Sequence, residues 1–364
     1  MFIKNLLKGF ICIVVCLGLI STGVAGVDST TTYKEKYRPQ FHFSPQTNWM
    51  NDPNGLVYYN GEYHLYYQHN PHSLEWGPMH WGHAVSKDLL HWEHLPIVFE
   101  PEDNETDYWS GSAVVDTNNT SGFFNDCGGK GIVAIYTHRI KGKQTQDIAY
   151  SKDNGRTFIK YDGNPVLPNP GVDDFRDPKV FWHKQSKKWV MVLACWDKIW
   201  IYNSLNLKNW TLTSKFGGKD FFNGYLWECP DLFELAVDGG KTKKWVMLVS
   251  NGGAPSGNRG TQYFIGSFDG KTFKSENPAK AYLWMDYGRD NYAGNTWNNI
   301  PDSDGRRIFV GWMNDGAYSN ALPTETWRGA LTIPRELSLK TTPEGIRLAQ
   351  TPIREYDGLK SKNP

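Results

Sequence analysis

The 364-residue chain has only five cysteines, and two of them, Cys12 and Cys16, fall in the apolar run FICIVVCLGLI at 10–20. The other three, Cys127, Cys195 and Cys229, are odd in number and far apart, so no disulfide framework is implied. An excess of one charge is missing too: 39 Lys and Arg stand against 38 Asp and Glu. Nucleic acid or an anionic membrane surface would call for a basic excess, so the expected partner is uncharged. Beyond the first run, no stretch approaches the roughly 20 apolar residues of a membrane helix. That run is itself short, follows Lys4 and Lys8, and leads into the small residues STGVAG, which is the pattern of a secretory signal peptide. A lipid anchor at Cys16 is disfavoured, because the preceding Ile-Val-Val lacks small residues. The expectation is a secreted, extracellular chain with a signal over 1–26 and a lead segment over 27–36. Nothing in the sequence sets an oligomeric state.

Several catalytic signatures are also missing. No serine-centred nucleophile elbow is present. The glycine-rich GGAPSGNRG at 252–260 runs into the strand-like TQYFIGSF, whereas a phosphate cradle needs a following helix. Eight of the ten histidines lie between 42 and 94, including the pairs His69/His72, His80/His83 and His91/His94. Odd spacing on a strand sends two rings to opposite faces, which argues against chelation. No metal and no cofactor are expected.

What the chain does have is aromatic residues, 15% of the total with 16 Trp, an excess that suits both a β-rich core and sugar faces. It also has a repeat. The apolar strand candidates YHLYYQHN, GIVAIYTH, KWVMVLAC, KWVMLVSN and RIFVGWMN start at 63, 131, 188, 244 and 307. Four are followed by Ser, then Asp or Asn two residues on, then an aromatic: SKDLLHW, SKDNGRTF, SLNLKNW and SFDGKTF. Each candidate also has a predecessor strand: GLVYY, SAVVD, KVFWH, DLFEL and a poorer TWNNI after 295. Short strands in a recurring order, without helical periodicity, predict an all-β five-bladed β-propeller over 37–352. A two-sheet sandwich is the rival, but it leaves the repeated order unexplained.

Three of the predecessor strands are introduced by an acid close to a proline: N-D-P at 51–53, R-D-P at 176–178 and E-C-P-D at 228–231. If those strands are innermost, Asp52, Asp177 and Glu228 occupy equivalent points and converge at one mouth of the channel. Crowded, partly buried carboxylates have pKa values pushed apart, so one can be ionised while another carries a proton. This is the division of labour in glycoside hydrolysis. The plain alternative is a structural polar plug.

The stretches WMNDPNG, FRDPKVF and WECPDLF, in this order, resemble the three acid motifs of glycoside hydrolase family 32. Similarity runs from about Tyr37 to Pro352 and includes YHLYYQHNP, WGPMHWGHAVSKDL, WSGSAVVD and WRGALTIPREL. Within the family, the wording is most like bacterial levanases and exo-inulinases. The resemblance implies a five-bladed propeller and a retaining mechanism that releases fructose. It implies Asp52 as nucleophile, Glu228 as acid/base and Asp177 as transition-state stabiliser, with Arg176 beside it. Asn51, Gln68, Trp76 and Ser110 match substrate-contact positions, and Trp49 and Trp312 match aromatic walls. The implied activity is an exo-acting β-fructosidase on levan, inulin or sucrose. A fructosyltransferase using the same intermediate and a non-catalytic sugar-binding propeller are the alternatives. Family members carry a C-terminal β-sandwich, whereas this chain stops at Pro364, so 353–364 is expected to begin a linker toward a missing domain.

Overall fold

The computed structural model describes residues 33–219, 221 and 226–360, and the expected signal peptide lies outside the described residues. The apolar repeat builds five antiparallel sheets. The first blade holds β1 (Asn48–Tyr59), β2 (Glu62–Asn70), β3 (His80–Ser86) and β4 (Trp92–Phe99). The second holds β5 (Thr106–Asp116), β6 (Gly131–Ile140), β7 (Lys143–Ser151) and β8 (Ile159–Lys160). In the third are β9 (Arg176–His183), β10 (Lys188–Cys195), β11 (Lys198–Ser204) and β12 (Thr211–Gly217). The fourth comprises β13 (Glu228–Ala236), β14 (Lys243–Gly252), β15 (Arg259–Phe268) and β16 (Phe273–Ser275), with β17 (Leu283–Trp284) also paired to β15. The fifth starts with β18 (Tyr292–Thr296) and β19 (Arg307–Trp312). The short β20 (Trp327–Arg328) joins the first sheet, and the fifth ends with β21 (Arg335–Thr342) and β22 (Gly345–Pro352).

The Ser-x-Asp/Asn signature joins the third strand to the fourth in each of the first four blades. Its polar side chains satisfy backbone N–H groups that the turn frees from the ladder. Leu89 N–H donates to Ser86 Oγ at 2.8 Å, Gly155 N–H to Ser151 Oγ at 2.7 Å, and Asn206 N–H to Ser204 Oγ at 3.1 Å. In the fourth blade the Asp269 carboxylate takes Thr272 N–H at 2.7 Å.

Each junction between neighbouring blades has its own apolar cluster. Tyr66 and Trp81 meet Tyr108 and Tyr136 between the first and second blades, and Val133 and Ile135 meet Val180 and Met191 between the second and third. Val190 and Val192 meet Leu232 and Met247, then Val246 and Leu248 meet Phe309 and Leu337, and Ile308 and Val310 meet Met50 and Leu65. Burying each such side chain stabilises by about 1.5–3 kcal/mol, which locks the ring radially. The ring closes where β20 pairs in parallel with β1 and Tyr58 N–H donates to Asn298 O at 2.9 Å.

One segment differs from the sequence-based expectation. The first strand of the fifth blade is Tyr292–Thr296, and TWNNI mostly follows it. Trp297 is drawn into the core, its Nε1 donating to His64 O at 2.9 Å, and Asn298 crosses the channel to donate to Ala113 O and Val180 O at 2.8 and 3.0 Å. The segment after β22, where a linker is expected to start, packs on the propeller. Ile353 is buried, Tyr356 OH donates to Phe41 O at 3.0 Å, and Arg306 holds the Glu355 carboxylate through two contacts of 2.8 Å.

Candidate active site

Every innermost strand carries a β-bulge near its start, two residues facing one on its neighbour. The bulged pairs are Asn51–Asp52, Trp109–Ser110, Asp177–Pro178, Cys229–Pro230 and Ala293–Gly294. Bulges bend a strand and re-aim its side chains, so five of them in a ring make a shaped mouth. The acids do not sit at equivalent points, as the sequence suggested. Asp52 is the second bulge residue, Asp177 the first, and Glu228 the residue before the bulge. Alternation along a strand shows only its period, and a bulge shifts the register without altering composition. Asp177 and Cys229 take left-handed φ values of 63° and 45°, as first residues of their bulges.

Two of the acids nevertheless meet at one thiol, with Glu228 next to it in the chain. Cys229 Sγ lies 3.6 Å from Asp52 Oδ2 and 3.5 Å from Asp177 Oδ2. Asp52 is held by two donors, Ser110 Oγ on Oδ2 at 2.7 Å and Asn51 Nδ2 on Oδ1 at 2.9 Å. Asp177 is pinned at both ends: its N–H donates to Thr137 Oγ1 at 2.9 Å and its Oδ2 accepts the Cys229 N–H at 3.0 Å. Glu228 accepts from Arg176 Nη2 on Oε1 at 3.1 Å and from the Tyr292 hydroxyl on Oε2. Arg176 also pairs with Asp174, so the guanidinium bridges Asp174 and Glu228.

Burial dominates the electrostatics. It pushes Asp52 above the ordinary carboxylate range, against the hydrogen bonds from Ser110 and Asn51 and with help from the charge of Glu228. It pushes Asp177 up to about 7, opposed by Arg176. The Cys229 thiol is driven well above its usual value by burial and by the neighbouring carboxylates, so it stays a neutral thiol. Burial alone would lower Arg176, but the charges of Asp177, Glu228 and Asp174 raise it. Two of the three carboxylates, Asp52 and Asp177, are thus shifted toward their protonated forms by burial, in a crowded cluster whose only nearby cation is Arg176 among the described groups that act on them.

The remaining sequence-derived residues fall in three settings. Asn51 and Ser110 act on Asp52 directly, while Gln68 is buried opposite the first bulge, with Nε2 donating to Tyr108 O at 2.9 Å. Trp49 and Trp312 are 2% and 5% exposed and pack on each other with Met79, Cys229 and Tyr292. They therefore back the acids, with Trp49 Nε1 fixing Asn51 Oδ1 at 2.7 Å. Trp76 is 50% exposed and meets Trp109 edge-on at 6.0 Å. Sequence reasoning missed Tyr292, Asp174 and the thiol of Cys229. Tyr292 precedes its bulge as Glu228 and Arg176 precede theirs, a parallel visible only once the register is known. The histidines form local contacts away from the acids described above: His69 bonds Trp49 O at 2.7 Å, His64 pairs with His83 at 3.1 Å, and His72 meets His80 edge-on.

Beneath the acids the channel is closed. Lys179 Nζ pairs with Asp231 Oδ2 at 3.3 Å, and the same oxygen accepts Thr296 N–H and Oγ1, both at 2.8 Å. Ser112 Oγ donates to Pro178 O at 2.8 Å on the level between, and all these side chains are buried. A polar plug does exist, but it is the floor of the acid cluster, not the cluster itself.

The family model for the "Glycosyl hydrolases family 32 N-terminal domain" matches residues 42–352. The chain belongs to glycoside hydrolase family 32. Among family 32 relatives, it is 57% identical over 357 residues to a levanase of Bacillus subtilis, covering 97% of this chain and 52% of that protein. It thus spans about half the length of that levanase. It is 45% identical to an extracellular exo-inulinase of Aspergillus niger, covering 94% of this chain and 69% of the relative. Its fold matches the crystal structure of exo-inulinase from Aspergillus awamori with a TM-score of 0.87 at 43% identity, over 91% of this chain and 70% of that one. A fructofuranosidase from Schwanniomyces occidentalis complexed with fructose matches with a TM-score of 0.82 at 42% identity, over 90% and 65% of the two chains.

Proposed function

We propose that the chain is a secreted, exo-acting β-fructosidase that releases terminal β-D-fructofuranosyl units from fructans and from sucrose with net retention. The observation that carries this reading is the pair of differently held carboxylates: Asp52, fixed by Ser110 and Asn51, and Glu228, fixed by Arg176 and Tyr292. The levanase and exo-inulinase names of its relatives support the substrate class. Asp52 attacks the anomeric carbon while Glu228 gives its proton to the glycosidic oxygen, breaking that bond and leaving a fructosyl ester on Asp52. Glu228 then takes a proton from water, whose oxygen displaces Asp52 and restores the original configuration. Asp177 accepts hydrogen bonds from sugar hydroxyls. Secretion is supported by the charged-then-apolar leader and by relatives named extracellular.

Incubation of the chain with levan, inulin and sucrose, followed by identification of the sugars released, tests the reading. Fructose from these substrates, first formed as the β-furanose by carbon NMR, is expected. No fructose from any of them, or initial α-fructofuranose, overturns it.

A further inference from the structure

A cavity of about 400 Å³ lies beside the candidate active site on the third blade, lined by Asp173, Asp174, Trp196, Asp197, Trp200 and Lys215 among others. Its volume falls in the range of small-molecule sites, ~300–1,000 Å³. Two links join it to Glu228. Asp174 lines the cavity and pairs with Arg176, whose other nitrogen contacts Glu228 at 3.1 Å. Trp196 O accepts the N–H of Trp227, the residue before Glu228, at 2.7 Å. The cavity is thus tethered to Glu228 both through side chains and through the backbone.

Trp196 itself is out of place by local rules. It sits in the two-residue turn between the paired residues Cys195 and Lys198, with φ of 55°. A hairpin turn whose first central residue has positive φ favours glycine, and a bulky residue there is an outlier. Its indole is 55% exposed, so core packing does not explain the choice. Strain held at a surface aromatic beside a site is a mark of ligand contact. Trp200 is different: the Lys215 ammonium sits 3.6 Å from its ring centroid, and the edge of that ring meets Phe175 at 6.0 Å, so it is a wall, not an open platform. Asp173 is exposed and has no hydrogen bond or ion pair among the described residues.

We infer that this cavity is a binding subsite for the fructosyl units of a polymer beyond the scissile bond, with Trp196 as the stacking platform. The inference rests on the function proposed above. A furanose chain offers apolar C–H faces to the indole and hydroxyl donors to the carboxylates of Asp173, Asp174 and Asp197, and it carries no charge for them to repel. An aromatic platform away from the reacting carbon adds affinity for longer substrates without touching the chemistry.

The test compares kcat/KM on sucrose and on inulin-type oligosaccharides of increasing length, for the wild-type chain and for Trp196→Gly and Trp196→Phe. Glycine suits the turn, so Trp196→Gly is expected to keep the wild-type Tm. Wild type should gain in kcat/KM with chain length, and Trp196→Gly should reduce the ratio of the longest oligosaccharide to sucrose by about tenfold, with partial recovery in Trp196→Phe. A folded Trp196→Gly that keeps the wild-type length dependence overturns the inference, as does a wild type with no length dependence that still releases fructose. Absence of fructose from every substrate shows failure of the proposed function, and the inference falls with it.

Discussion

The backbone amide of Cys229 donates to Oδ2 of Asp177 at 3.0 Å, so the bulge of the fourth blade fixes the acid of the third. The contact favours the ionised carboxylate, as does Arg176, yet burial outweighs both and leaves Asp177 at about 7. Because this folded value is above the ordinary 3.8, the native state binds the proton more tightly than the unfolded chain does. The resulting stabilisation is present in acid, below the unfolded value, and is lost as pH rises through about 7.

Asp177→Asn removes that titration while keeping a carbonyl oxygen for the Cys229 amide. Tm of the variant, measured from roughly pH 5 to 8, should fall less with rising pH than that of wild type. Buried His64, lowered to about 3, works in the opposite sense below its ordinary 6.5, but it is common to both proteins. Parallel Tm curves would show that Asp177 does not titrate in this window.

The nucleophile and acid assignments separate by substrate. Asp52→Asn should fold, because Ser110 can still donate to the amide oxygen, and should lose several orders of magnitude in turnover. Glu228→Gln should lose about 10²–10⁴-fold on sucrose and recover part of it on a fructoside with an activated leaving group, which needs less protonation. A folded Asp52→Asn with near-normal turnover refutes the first assignment, and absence of recovery in Glu228→Gln refutes the second.

Much of this was legible in the chain because blades repeat. The Ser-x-Asp turns and apolar strands report local hydrogen bonding and burial, which composition encodes directly. The convergence of Asp52, Asp177 and Glu228 was legible from the prolines beside them. Their stagger across the bulges was not, because a bulge is a change in pairing between strands and leaves no periodic trace. Tyr292 was hidden for the same reason, and the burial of Trp49 and Trp312 depends on packing between the first and fifth blades.

The floor of the site makes a stability prediction. Lys179 and Asp231 are both buried and pair at 3.3 Å, and burial lowers Lys179 against the pull of Asp231. Lys179→Met would leave the buried Asp231 carboxylate without its paired ammonium, with the Arg307 guanidinium as a cation that still acts on it. Urea denaturation should show a loss of about 3–5 kcal/mol, the usual cost of orphaning one partner of a buried ion pair. A loss below about 1 kcal/mol would mean that the Thr296 N–H and hydroxyl, with Arg307, suffice for Asp231.

The same floor decides how a polymer reaches the acids. Lys179, Asp231 and Thr296 tie the third, fourth and fifth blades together under the bulges, and Asn298 bonds to carbonyls of the second and third. A chain cannot thread past them, which favours end-on entry of substrate from the mouth. Trp49 and Trp312, buried behind the acids, close the side between the first and fifth blades. A blind pocket removes one terminal unit per encounter, so fructose should dominate from the first minutes of levan or inulin digestion, with viscosity falling slowly. An early ladder of short oligosaccharides with a rapid drop in viscosity would mean that chains are cut internally. The acids would then lie in a groove open across the mouth, above the Lys179–Asp231 floor, and end-on entry would be refuted.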